Sequence, residues 1–445
     1  MAQLQKPGSD DYVVQTLFSD PLAISADNPG PGGHTSLEAC VDYCAANDCT
    51  ECRDWIQSVY LSLDTGNQVD ITGKFNGIWL PTINAIRDAV RQIPTLKEIG
   101  VNTVSFGPDV VTREVEAPRS VGDNLFRFYV RVFEDAGFNV HLVPNPMHWG
   151  HNDAYLADLQ PVLLDWAAEA EAFDVAFYTT FNEVDGMNDS IEETSDWLQE
   201  ILPQIKERYS GLVCVQPTQA GLTSQKLDFT GYDCLSSFFP LLVPDQTRNQ
   251  RAISDFVAEA QRVKSGYASV KHVMFNDVAT FSGGNWAETT IMEQQIRAQA
   301  EGRTEYSTEE QQADIFADFL DTAYPDIDGC FFNNWTGFTW VGKSAADVVK
   351  AVYSQQGMIP GKATDSVWAT PGLLELIERV TLDDTERGLI FDLDTYVGGW
   401  AGLCFEPNPA SPGPFGCTST GECMECFREN PEEYWAWCLE RCDGG

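Results

Sequence analysis

From Phe75 onward two hydrophobic patterns alternate along the chain. Short, continuously apolar runs (Phe75–Leu80, Val101–Phe106, Phe138–Val143, Val175–Phe181, Leu212–Val215, Tyr232–Phe238, His272–Phe275 and Gly329–Trp335) read as eight strands. Between most of them lie amphipathic stretches with helical periodicity: Ile83–Ile99, Asn124–Ala136, Ala154–Ala172, Ser190–Tyr209, Arg251–Lys264 and Ser307–Ala323. Gly100 and Gly137 follow two of these as natural C-terminal caps, and Ser307-Thr308-Glu309-Glu310 opens another as a capping box. Strands that are apolar throughout are covered on both faces, which implies parallel pairing with helical crossovers. Eight such units between Phe75 and Trp340 match a (β/α)8 TIM barrel in count and in its roughly 250 residues. A doubly wound open sheet is the structural rival. It calls for a glycine-rich phosphate turn after the first strand, where this chain has Leu80-Pro81-Thr82.

Outside that region the pattern weakens. Asn28-Pro29-Gly30-Pro31-Gly32-Gly33 is a turn-rich linker, after which Ser36 caps a helix. Ala345–Tyr353 and Pro371–Arg379 look helical, Leu389–Val397 reads as a strand, and the proline-rich stretch from Pro407 to Pro414 is a linker. The expected organisation is an N-terminal extension (1–70), the barrel (71–345), a packing segment (346–403) and a cysteine-rich tail (404–445).

The thirteen cysteines change the picture of the ends. Cys40, Cys44, Cys49 and Cys52 lie early and Cys404, Cys417, Cys423, Cys426, Cys438 and Cys442 late, with Cys214, Cys234 and Cys330 between. Clusters flanking a full-sized core resemble disulfide-stapled appendages of an exported protein. The rival is zinc, for which Cys423-x-x-Cys426 with Cys438-x-x-x-Cys442, and the early four, have near-ligand spacing. The first residues carry no charged start followed by an apolar core, so they are no signal peptide. Either the chain stays in the cytoplasm or it is a processed form with an added Met; the cysteines favour export, to the medium or the cell surface. No stretch approaches the roughly 18 apolar residues of a membrane span.

With 67 acidic against 27 basic residues the chain carries a formal charge of −40, which repels nucleic acid and anionic membranes. Such a lysine-poor surface fits a high-salt habitat and equally an acidic secreted protein. Charge speaks to solubility and not to fold.

In barrels of this kind the chemistry sits at the C-terminal ends of the strands. The residues there include Asp109 after the second strand, Asn145-Pro146-Met147-His148-Trp149 after the third, Asn182-Glu183-Val184-Asp185 after the fourth, Phe238 after the sixth, Asn276-Asp277 after the seventh and Asn334-Trp335 through Trp340 after the eighth. Carboxylates, carboxamides and aromatic rings together suit a sugar. Flat rings stack on its apolar faces, amides bind its hydroxyls, and two opposed carboxylates cleave glycosidic bonds. With five histidines and no Gly-x-Ser-x-Gly turn, no Ser-His-Asp arrangement competes. Asp109 and Asp185 read as plain solvated acids, and Trp286 sits after Gly283-Gly284-Asn285 on a loop able to cover the site.

Thr180-Phe181-Asn182-Glu183 resembles the Asn-Glu pair that ends the fourth strand in clan A glycoside hydrolases. Leu96 through Val104, Tyr232 through Leu241, Val273 through Asp277 and Tyr306 through Ala313 are similar to the β-mannanase-like branch, glycoside hydrolase family 113. The resemblance covers Phe75 to Trp340 and neither cysteine-rich end. It implies a glycosidase acting on β-linked polysaccharide, with mannan as the suggested substrate and no cofactor. It makes Glu183 the acid/base, Asn182 the ligand of the sugar 2-hydroxyl and Asp277 the second carboxylate. Trp79, His148, Trp149, Phe238, Trp335 and Trp340 are the further candidate substrate contacts, although core packing accounts for Trp335 and Trp340 equally well.

Two departures bear on that expectation. The clan's nucleophile is a Glu where this chain has Asp277, shorter by one C–C bond, roughly 1.5 Å. Phe238 stands where the clan usually has a Tyr hydroxyl donating to the nucleophile, and losing that donor should weaken the ionised carboxylate. Three outcomes are open: a retaining hydrolase with an altered site; an inverting one, the carboxylate gap widened from about 5 Å toward the roughly 6.5 Å that admits a water; or a barrel that has lost catalysis and kept sugar binding or a surface role. A one-residue shift in the alignment would put Asn276 in the nucleophile position.

Overall fold

The computed structural model of the chain describes residues 24–382 and 386, except 48, 63–72, 112–117, 147–154, 187, 189, 240–241, 243–245, 281–308, 335–338, 355–370 and 383–385. Its strands are β1 (Phe75–Trp79), β2 (Thr103–Phe106), β3 (Asp109–Val111), β4 (Arg119–Val121), β5 (Asn139–Leu142), β6 (Asn145–Pro146), β7 (Phe177–Asn182), β8 (Leu212–Gln216), β9 (Cys234–Phe238), β10 (His272–Val278) and β11 (Gly329–Asn333). Eight of them close into a parallel barrel in the order β1-β11-β10-β9-β8-β7-β5-β2. Each coincides with one of the eight apolar runs. The fold is therefore the (β/α)8 barrel.

Alternation sorts each strand's residues between two cores. Ile78, Val104, Val213 and Phe275 face the helices and join the outer hydrophobic layer. Phe75, Trp79, Phe177, Cys214, Cys234, Met274 and Phe331 fill the interior. The interior also holds a polar layer, in which His141, fully buried, contacts Ser105 Oγ through Nδ1 at 3.0 Å and Thr179 Oγ1 through Nε2 at 2.7 Å. Burial pushes its pKa down to about 3, so the ring is neutral, with one nitrogen donating and the other accepting.

The helices cap as their sequences dictate. Thr82 Oγ1 accepts from Ala85 N–H at 3.2 Å to start Ile83–Arg91, and Ser190 Oγ accepts from Glu193 N–H at 3.2 Å to start Ile191–Arg208. One expectation fails here. The single helix read over Ile83–Ile99 breaks at Gln92 into Ile83–Arg91 and Ile93–Ile99. Pro94 is the cause, since it cannot donate to the preceding turn and is tolerated only in the first turn of a new helix.

Two further differences concern the periphery. A small sheet in the order β4-β3-β6 forms on the loops that follow β2 and β5. The N-terminal cysteine helices, Leu37–Ala46 and Thr50–Ser62, do not lie outside the core. Cys44 and Cys52 are fully buried in the same hydrophobic cluster as the barrel and are joined by a disulfide. The helix Pro371–Thr381 packs on Leu37–Ala46 and on the barrel helix Asp123–Asp135. The strand expected at Leu389–Val397 and the six late cysteines fall outside the described residues.

Gly77 is set by its neighbour, because a Cβ there would stand 2.1 Å from the Phe331 ring inside the barrel. Gly77→Ala should therefore destabilise by about 1–3 kcal/mol through overpacking, read by urea unfolding. An unchanged midpoint would show that the interior is looser than this.

Glu378 ties Pro371–Thr381 to the first barrel helix, with Arg87 Nε 2.6 Å from Glu378 Oε1. Burial outweighs the nearby Arg87 and Arg91 guanidiniums and pushes Glu378 from the ordinary 4.5 up to about 7. The folded chain thus holds a proton there that the unfolded chain releases. This contribution to stability is complete below pH 4.5 and is lost as pH rises through about 7. Glu378→Gln should flatten the wild-type decline between those limits when unfolding is followed against pH; parallel curves would refute the assignment.

Candidate active site

Glu183 and Asp277 stand at the C-terminal ends of β7 and β10, the fourth and seventh barrel strands, which are separated in the sheet by β8 and β9. The two ends share an irregularity. Thr179 pairs with Cys214 and Asn182 with Gln216, so β7 carries one extra residue against β8. Likewise Phe275 pairs with Cys330 and Val278 with Phe332, so β10 carries one extra residue against β11. No other pairing of described barrel strands slips. Such bulges bend a strand and re-aim the side chain beside them.

Both carboxylate residues also adopt the left-handed backbone region, with φ of 49° at Glu183 and 56° at Asp277. Asp174 and Gln225 are the other described non-glycine residues there. For a Glu this conformation costs on the order of 1–2 kcal/mol, while Asp tolerates it better. It persists where the surroundings impose it, and such residues cluster at functional sites.

The surroundings are hydrogen bonds between carboxamides. Glu183 N–H donates to the Gln216 carbonyl at 3.0 Å. Asn182 Nδ2 donates to Asn145 Oδ1 at 2.7 Å, and Gln216 Nε2 donates to Asn182 Oδ1 at 2.5 Å. Asn276 Nδ2 donates to Gln216 Oε1 at 3.0 Å. Asn333, at the end of β11, donates through Nδ2 to Asp277 Oδ1. The donor absent at Phe238 is thus supplied from the neighbouring strand. Phe238 itself is half-buried at the end of β9, in register with Asn276.

Asp185 is not a solvated acid. It is 5% exposed, accepts from Thr218 N–H at 2.9 Å through Oδ1 and from Thr218 Oγ1 through Oδ2, and so clamps the turn after Glu183 to the loop after β8. Burial raises its pKa against the pull of those hydrogen bonds. Asp109 is half-buried within β3, in register with Asn145. Trp79 is 2% exposed inside the barrel. Trp340 is fully buried, with its ring centroid 6.0 Å from that of Phe332 and 6.5 Å from that of Phe316, so neither face is open to a sugar and it serves packing. Asn334 is likewise structural, its Oδ1 accepting from Trp340 N–H at 3.1 Å. His148, Trp149, Trp286 and Trp335 lie outside the described residues.

Sequence reasoning missed Gln216 and Asn333. The signal for Gln216 was available: it is the polar residue that ends the apolar run Leu212–Val215, just before Pro217.

No protein-family model and no curated protein sequence matches the chain. Solved structures do. The chain is similar to a GH113 β-1,4-mannanase at 14% identity and a TM-score of 0.46, over 63% of this chain and 99% of that one. It is similar to the GH113 β-mannanase AaManA from Alicyclobacillus acidocaldarius at 15% identity and a TM-score of 0.45, over 64% and 98%. A glycoside hydrolase family 5 enzyme from Prevotella bryantii B14 matches at 11% identity and a TM-score of 0.44, over 64% and 99%. These likenesses are those of the barrel, and what the site does follows from its own residues.

If the left-handed backbone at Glu183 is imposed, Glu183→Gly should be about 1 kcal/mol more stable than Glu183→Ala, since both lack the side chain and differ in backbone cost. Chemical denaturation of the two variants measures this. An alanine variant as stable as the glycine one would mean that the site holds no such constraint.

Proposed function

We propose that the chain is a glycosidase that cleaves β-linked polysaccharide, with mannan as the first candidate substrate, through Glu183 and Asp277. The observation that carries this reading is the matched pair: two carboxylates at the ends of barrel strands four and seven, each preceded by an Asn, each beside a one-residue bulge and each in the left-handed region. Two such groups flanking one sugar ring are what glycosidic cleavage requires.

In this reading the Glu183 carboxyl protonates the departing glycosidic oxygen as the bond to the anomeric carbon breaks. Asp277 then acts in one of two ways. As a nucleophile it bonds to the anomeric carbon, and water later releases the sugar with Glu183 taking the water's proton. As a base it removes a proton from a water that attacks the opposite face directly. Asn333, donating to Asp277 Oδ1, favours the ionised carboxylate that both routes need. Asn182, fixed by Asn145 and Gln216, is positioned to bind a hydroxyl of the same sugar. The chemistry calls on carboxylates and water, with no cofactor. The Cys44–Cys52 disulfide supports export, where polysaccharide is met.

The test is sugar release from β-mannans, β-glucans and xylan at low and high salt, with Glu183→Ala alongside. Wild-type release that falls by about 100-fold or more in the variant is the expected outcome. Proton NMR of the first product then assigns the route, a β anomer from a β-linked substrate meaning nucleophilic Asp277 and an α anomer meaning base catalysis. A wild type silent across the panel, yet retaining affinity for one of these polysaccharides, would make the chain a sugar-binding protein on the same barrel.

A further inference from the structure

Gln216 makes directed contacts to both carboxylate-bearing strand ends. It is 2% exposed and sits at the end of β8, one strand from β7 and two from β10. Its carbonyl accepts from Glu183 N–H at 3.0 Å. Its Nε2 donates to Asn182 Oδ1 at 2.5 Å, and its Oε1 accepts from Asn276 Nδ2 at 3.0 Å. To reach Asn276 the side chain passes β9, where Ser236 Oγ lies 3.5 Å from the same Oε1. Asn182 and Asn276 are the residues immediately before Glu183 and Asp277; Asn182 closes the bulge in β7 and Asn276 lies within that in β10.

The chain of amides has one direction. Asn276 donates to Gln216, Gln216 to Asn182 and Asn182 to Asn145. The orientations are coupled, because reversing any one carboxamide alone would face two donors or two acceptors across a contact. A buried carboxamide left without its partner costs about 1–3 kcal/mol. A single side chain therefore bridges the Asn182 and Asn276 amides, one at each bulge.

We infer that Gln216 is a positioning residue that ties the Asn182-Glu183 and Asn276-Asp277 strand ends together across the barrel mouth, so that the spacing of the two carboxylates depends on its carboxamide. The role rests on the glycosidase reading for its catalytic consequence, while the tie itself is a matter of hydrogen bonding. Its length and its two-sided character are specific. Leu matches the volume of Gln but makes neither bond, Asn is one carbon too short to span both partners, and Glu keeps the acceptor toward Asn276 but, when ionised, turns an acceptor on Asn182 Oδ1.

The experiment uses the full chain labelled with 15N-asparagine, the side-chain amide signals of Asn182 and Asn276 being assigned by Asn182→Ser and Asn276→Ser. Gln216→Leu should move both signals, Asn182 losing its donor and Asn276 its acceptor, whereas ionised Gln216→Glu, which keeps the acceptor toward Asn276, should move that of Asn182. On the substrate that the wild type cleaves, Gln216→Leu should lower kcat by about 10- to 100-fold with KM little changed, as a misplaced catalytic group does. Gln216→Glu should add a new descending limb to the pH–activity profile, active while the introduced carboxyl is protonated and can donate to Asn182. The groups facing it are the neutral Asn182, Ser236 and Asn276, with Glu183 and Asp277 next in sequence. Conserved thermal unfolding in the Glu variant separates this from loss of fold. If either asparagine signal stays in place in both variants, or if kcat is unchanged, the tie is wrong even where the glycosidase stands. If the wild type cleaves nothing, the glycosidase reading falls while the amide signals alone decide the tie.

Discussion

Carboxamides drawn to the mouth of a closed barrel must look to neighbouring side chains for partners, because no free strand edge is at hand. The structure around the candidate site follows from that constraint. Gln216 finds Asn182 on one side and Asn276 on the other, and Asn182 continues to Asn145. All four are neutral, so the arrangement does not loosen with pH. Glu183 and Asp277 come next along the chain, where the strands end. A neutral frame beside two carboxylates has no charge of its own to change when either group gains or loses its proton.

Below that frame lies a second polar layer, Ser105-His141-Thr179, and below that an apolar one of Phe75, Phe177, Cys214, Cys234 and Phe331. Along β7 the interior thus passes from hydrocarbon to hydroxyl to amide toward the C-terminal end. The gradient is a consequence of strand alternation. In β7 the interior positions Phe177, Thr179 and Asn182 become more polar in order, the last displaced one place by the bulge.

The barrel was legible in the sequence because strands covered on both faces appear as unbroken apolar runs, and all eight coincide with runs read directly from the chain. Glu183 was legible because it ends the fourth run. The bulges were not. The strands keep no strict alternation of polar and apolar positions, so an extra residue at 179–182 or 275–278 disturbs no period and neither stretch betrays the slip. The amide tie was hidden for a related reason: Asn145, Asn182, Gln216 and Asn276 are far apart in sequence, and an isolated carboxamide looks like a turn residue until the strands close. Asp185 misled because an acid shortly after a strand is usually solvated, whereas Thr218 and the close approach of Gly221 bury this one. The helix break at Pro94 was visible and outweighed by good apolar periodicity on both sides of it.

The aspartate at the seventh strand is best understood together with the bulge beside it. By side-chain length alone Asp277 falls short of a glutamate by roughly 1.5 Å. Side-chain length, however, places a carboxylate only relative to its own Cα. In β10 the extra residue and the left-handed φ of 56° at Asp277 set that Cα apart from the regular ladder. The carboxylate is then held from outside its own strand, by Asn333 of β11. Aspartate also suits the left-handed region better than glutamate, because its short polar side chain bonds locally there. The same residue that appears as a deficit when the sequence is aligned by position is the one this backbone accepts at least cost. The spacing of the two carboxylates is accordingly a property of the paired bulges and of the amide frame between them, and the missing methylene does not decide it alone.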